Sequence, residues 1–110
     1  MCSPFNYSFW RFPRTKWDDC DDYNALSEQV HVVAEEVGEC ASALRKESPE
    51  RLACEAWDVI QATEGVLRRL ENNGIDIIKA RDDVERKCRE RGYYNLAAYR
   101  NDHKEDGDAR

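Results

Sequence analysis

Four carboxylates stand in two pairs of matching spacing, Glu36-x-x-Glu39 and Glu55-x-x-Asp58. A three-residue step on a helix puts both acids of a pair on one face. Residues that face each other across an antiparallel hairpin share a midpoint, and 39 with 55 and 36 with 58 share residue 47. Helix-restart chemistry begins at that point. Ser48-Pro49-Glu50 supplies an N-cap, a proline at the first helical position and an acid in the first turn. Turn chemistry and carboxylate spacing independently bring the two pairs together.

Such a cluster is costly by itself. At about 5 Å, one like-charge pair costs roughly 3 kcal/mol at an effective dielectric near 20, and partial burial adds to that. A hard divalent cation removes the penalty. All-oxygen ligation with waters retained suits Mg²⁺ or Mn²⁺ and does not suit Zn²⁺. The wheel sets Glu36 and Glu39 with Val32 and Ala43, and Glu55 and Asp58 with Ala62 and Gly65, whose small size leaves open volume. The competing reading is a solvated face, or ion pairs to Arg45, Arg51 or Arg69.

The elements that must position these acids are helices. From about Asp22 to Lys46, Leu26, Val30, Val33, Val37, Cys40 and Leu44 recur at steps of four and three and are expected to face inward. A second stripe of Leu52, Ala56, Val59, Thr63, Val66 and Leu70 runs to Asn72-Asn73-Gly74, a glycine C-cap. A third helix is expected from about Ile75 to Arg91, with Ile77, Ile78, Val84 and Cys88 inward, and a short one over Tyr93 to Tyr99. Residues 1–21 form an aromatic arm broken by Pro4 and Pro13. Residues 22–100 form the domain, and 101–110 read as a disordered tail. The expected fold is all-α, an antiparallel hairpin with further helices completed by the arm or a second subunit.

Glu35-Glu36-Val37-Gly38-Glu39 followed by Glu55-x-x-Asp58, with the basic stretch Glu85–Tyr94 containing Arg91-Gly92-Tyr93, resembles the all-α NTP pyrophosphohydrolases of the MazG-like family. The likeness covers about residues 24 to 95. It implies a four-helix-bundle-like fold that assembles as a homodimer or homotetramer. It also implies Mg²⁺-dependent hydrolysis of NTPs or dNTPs between the α and β phosphates, giving a monophosphate and pyrophosphate. By carry-over Glu36, Glu39, Glu55 and Asp58 hold the metal. Glu35 is the candidate for orienting water, although the wheel turns it from the apolar stripe. The arm with Trp10 and Trp17 departs from the family pattern.

Other residues have two readings each. Lys87 and Arg91, with Tyr94 nearby, are candidates to meet phosphates; cations beside a helix C-terminus are the plainer account. Trp10 and Trp17 are candidates to stack on a base, whereas Trp57 is expected to pack. Cys40 and Cys54 share the same midpoint as the acids, but packed thiols are the expected state. His31 and Glu35 have ligand spacing without a third partner and read as a surface pair.

The 110 residues suit one domain, and 36% of them are charged, with a net charge of −6. No basic block tracks a phosphate backbone, which argues against long nucleic acid. No apolar run approaches a membrane span, and the start lacks the core of a signal peptide. Five scattered cysteines without a C-x-x-C pair fit reduced thiols and a cytoplasmic setting. The expected function is thus an Mg²⁺-dependent nucleotide pyrophosphohydrolase. Its rivals are a non-enzymatic helical interaction module and a metal enzyme acting on other phosphorylated compounds.

Overall fold

The computed structural model describes residues 9–19, 23–46, 48–95 and 97. It contains three helices, α1 (Tyr23–Lys46), α2 (Pro49–Asn72) and α3 (Ile77–Glu90), and the described residues include no strand. The chain divides into two compact units, Met1–Ile75 and Asp76–Arg110. The first holds the described arm residues, α1 and α2; the second holds α3. No helix among the described residues is long and apolar enough to cross a membrane.

Local chemistry sets the helix ends. Ser48 caps α2 by accepting from the Arg51 N–H at 3.2 Å, with Pro49 in the first turn. At its other end Gly74 takes φ 85°, Gly74 N donates to Glu71 O and Ile75 N to Leu70 O. That is a Schellman closure, which requires a left-handed residue. Gly92 repeats it after α3, with Gly92 N donating to Arg89 O and Tyr93 N to Cys88 O. Because Ile75 closes α2 and Asp76 caps α3 by accepting from Lys79 N at 3.0 Å, α3 starts two residues later than the expected Ile75. Tyr93–Asn95 are not helical, while Ala97 is. Phe5, Tyr7, Cys2, Cys20 and the tail 101–110 lie outside the described residues.

α1 and α2 pack along each other as an antiparallel hairpin. The packed face takes up part of the expected stripes, with Leu26, Val33 and Cys40 of α1 and Leu52, Val59, Val66 and Leu70 of α2 half-buried. Val30, Val37 and Leu44 are 50%, 51% and 69% exposed, whereas Ala43 is buried and Gln29 and Glu36 are half-buried. The Gln29 side chain donates to Ala62 O at 2.9 Å across the two helices. On α2 the expected inward Ala56 and Thr63 are exposed, and Glu55, Ala62, Glu64, Gly65, Arg68 and Arg69 are buried in their place. The physical reason is that polar partners claim these positions: a carboxylate cluster against α1, and the arm against the last turns of α2.

The arm is strapped to α2 by buried charges. Glu64 accepts from the backbone N–H groups of Arg11 (2.7 Å) and Phe12 (3.1 Å). Arg68 donates to Phe12 O at 2.7 Å and lies over the Trp10 ring, 4.3 Å from its centroid. Asp18 accepts from Thr15 N and from Arg69, Arg69 also donates to Trp17 O, and Asn72 donates to Asp18 O. Irregular backbone with no ladder must find such partners when buried. Phe12 meets Trp57 edge-on, with centroids 5.8 Å apart.

In the second unit Ile77 is buried and Ile78 and Cys88 half-buried, but Val84, expected inward, is exposed. Its outer surface is laced by ion pairs: Lys79–Asp83 at 3.0 Å, Arg81–Glu85 at 3.1 Å and Arg89–Glu85 at 3.2 Å.

Candidate metal centre

α1 delivers Glu36 and Glu39, one turn apart, and α2 delivers Glu55 from the facing side. One carboxylate oxygen of each lies within 4.8 Å of the others. Glu55 is buried, at 4% exposure, Glu36 is half-buried and Glu39 is exposed. Asp58 is exposed and falls outside this group of three, but it lines the adjoining cleft together with Glu36. Glu35 is exposed, joins neither the group nor the cleft lining, and contributes only repulsion toward Glu36.

The electrostatics are those of a site short of positive charge. Burial, then the charges of Glu39, Asp58, Glu55 and Glu35, push the Glu36 carboxyl above its ordinary range. Glu36 Oε2 and Glu55 Oε2 are both buried without a hydrogen-bond partner. Arg51 reaches the other oxygen, Glu55 Oε1, at 2.7 Å. Two buried acceptor oxygens without donors, in an all-carboxylate set at ligand spacing, fit a hard divalent cation. Glu36, Glu39 and Glu55 would hold it, with Asp58 at its edge.

Beside the acids opens a cleft of about 450 Å³, bordered by Glu36 and Asp58 at one end and by Trp17, Asp18, Gln29 and Arg69. Such a volume lies in the range of small-ligand sites. Ala62 and Gly65 line it as well, and their small size leaves it open. A Cβ on Gly65 would stand 2.7 Å from Gln29 Nε2, so Gly65 is what admits the Gln29 side chain. Arg69, 5% exposed, keeps its Nε without a partner.

The arm aromatics are separated by this arrangement. Trp17 is exposed and lines the cleft, with Lys16 Nζ 4.9 Å from its ring centroid. Trp10 is half-buried beneath Arg68 and edge-on to Phe9, and does not line the cleft. Lys87, Arg91 and Tyr94 are exposed residues of the second unit. His31 Nδ1 lies 2.9 Å from Ser27 O, and Cys40, Cys54 and Cys88 are free thiols.

Sequence reasoning missed Asp18, Gln29, Glu64 and Arg68. Glu64 and Arg68 have the four-residue step of a surface ion pair, yet each serves the arm backbone. The one available signal was an aromatic arm with many backbone donors and no strand pattern to satisfy them. Comparison with protein-family models, with curated proteins and with solved structures finds no match to this chain.

Proposed function

We propose that this chain is a cytoplasmic nucleotide pyrophosphohydrolase of the MazG-like, all-α kind, hydrolysing NTPs or dNTPs to a monophosphate and pyrophosphate with Mg²⁺, or Mn²⁺ in its place. One observation carries the reading: Glu36, Glu39 and Glu55, from two helices, gather within 4.8 Å beside a cleft of nucleotide-binding size. Glu36, Glu39 and Glu55 would hold the cation, which would supply charge stabilisation and an activated water. The chain's own part is positioning. Glu36 and Glu55 fix the cation's place on two packed helices, and Asp58 borders it on the cleft side. Trp17 offers a face to a base, while Gln29 and Arg69 present polar groups to the sugar and base. Glu35 is retained only as an outer group that orients water.

Assembly belongs to this reading. Val30, Val37, Leu44, Trp57 and Ile60 are exposed, and the buried apolar side chains of the described residues are only Ala43, Ala62 and Ile77. A hairpin with so small a core is expected to complete a four-helix bundle as a homodimer or homotetramer. The same exposed stripe is what favours the second reading, a helical interaction module without activity.

The test is incubation of the protein with each common NTP and dNTP, in Mg²⁺ and in EDTA, separating pyrophosphate from orthophosphate. Mg²⁺-dependent pyrophosphate supports the enzyme, and orthophosphate alone refutes the position of cleavage. No release of either by folded protein leaves the interaction module.

A further inference from the structure

Three residues of the arm, Thr15, Trp17 and Asp18, border the cleft and make one wall of it. That wall belongs to no helix or strand and is held from α2. Arg69 donates to Asp18 Oδ1 at 3.3 Å, to Trp17 O at 3.1 Å and to Gly65 O at 3.0 Å. Asn72 donates to Asp18 O. The backbone of Trp17 and Asp18 is thus pinned, while the Trp17 indole stays open at the cleft. A pinned backbone lowers the ordering cost of stacking a ring on that indole.

Arg68 joins this anchor to a second one outside the cleft. Its Nε lies 3.9 Å from Asp18 Oδ2, and the same guanidinium donates to Phe12 O. Glu64 accepts there from Arg11 N and Phe12 N. Arg11, Phe12, Glu64 and Arg68 do not border the cleft. Only Pro13 and Arg14 separate Phe12 from Thr15, and proline fixes its own φ. The two anchors therefore dock as one piece.

We propose that Arg69 is the positioning residue for the nucleoside end of the substrate: it holds the arm as a wall that the nucleoside requires. Nucleoside binding and arm docking are then one equilibrium, an inference that rests on the nucleotide reading of the cleft above. A ligand that binds only the docked arm favours docking by the factor 1 + [L]/Kd. By the same linkage, an arm loosened at its far anchor loses affinity for the nucleoside. No arm residue belongs to the group of Glu36, Glu39 and Glu55. Pyrophosphate, which lacks a nucleoside, is therefore indifferent to the arm.

The probes are the α,β-imido analogues of the common dNTPs in Mg²⁺, with inorganic pyrophosphate as the control. Calorimetry first gives the Kd of each analogue. Trypsin is then added, and cleavage after Arg11, Arg14 and Lys16 is timed by mass spectrometry. Arg11 is the decisive site, because it lies outside the cleft and reports docking rather than direct cover. At ten times Kd the analogue should slow cleavage after Arg11 about tenfold. Pyrophosphate at the same concentration should leave it unchanged. Glu64→Ala should be cleaved faster after Arg11 and regain protection from the analogue. Arg69→Met, checked by circular dichroism, should weaken the analogue about tenfold and leave pyrophosphate binding as in wild type. If that variant does not fold, the wild-type and Glu64→Ala measurements decide alone. An analogue that binds without slowing cleavage after Arg11 overturns the proposal, as does equal protection by pyrophosphate. If no analogue binds wild type, the nucleotide reading and this inference fall together; if one binds without protecting the arm, only the role of Arg69 falls.

Discussion

Glu55 joins the two opposing demands of the site. It is buried, so its charge is expensive, and it lies within ligand distance of two further acids. Replacing it by glutamine removes repulsion along with one partially exposed ion pair to Arg51, whose contribution is at most about 1 kcal/mol. Glu55→Gln should therefore melt at or above the wild-type temperature without metal, and lose the stabilisation that Mg²⁺ confers on wild type. Thermal melts with and without Mg²⁺ check both. Glu36 gives a pH dependence with a definite sign. Its folded carboxyl is raised above 4.5, chiefly by burial and then by Glu39 and the other acids. The folded state therefore favours the protonated form. Its contribution to stability is complete below 4.5 and is lost as pH rises through the raised value. Urea midpoints of the metal-free chain should fall across that window relative to Glu36→Gln. A flat difference between the two proteins would contradict this.

At the scale of elements, the parts fixed by local chemistry were legible. Ser48, Pro49, Gly74 and Gly92 act through their own backbone geometry or nearest neighbours, so α2 and its ends follow from sequence. Which side of α1 meets α2 was legible only in part, because Leu26, Val33 and Cys40 of the apolar stripe are half-buried while Val30, Val37 and Leu44 are exposed. An interface of alanines, Gln29 and carboxylates has no signature in apolar periodicity. The bringing together of Glu36, Glu39 and Glu55 was legible because it needs only helical step and turn position. The arm's role was not, since it depends on side chains more than 50 residues away, as in Glu64 with Arg11. Removing that acceptor strands two backbone donors. Glu64→Ala should cost about 1–3 kcal/mol and expose the arm to protease within residues 9–19, with α2 remaining resistant. Equal cleavage rates in variant and wild type would contradict the strap.

For the whole molecule, the small buried apolar set and the exposed stripe on α1 set the expectation of assembly. Light scattering behind size-exclusion chromatography should give a dimer or tetramer mass. Val37→Glu with Leu44→Glu should shift it to the monomer while retaining helical circular dichroism. A monomeric wild type at tens of micromolar would contradict the assembly.

The carboxylate group on α1 and α2 is proposed to be a metal centre that drives nucleotide cleavage. Its most direct measurement is pyrophosphate release from NTPs and dNTPs by wild type and Glu55→Gln at saturating Mg²⁺, both shown to be folded. Release by wild type, its abolition by EDTA and a loss of at least about a hundredfold in the variant are expected. Release by Glu55→Gln at the wild-type rate would contradict it.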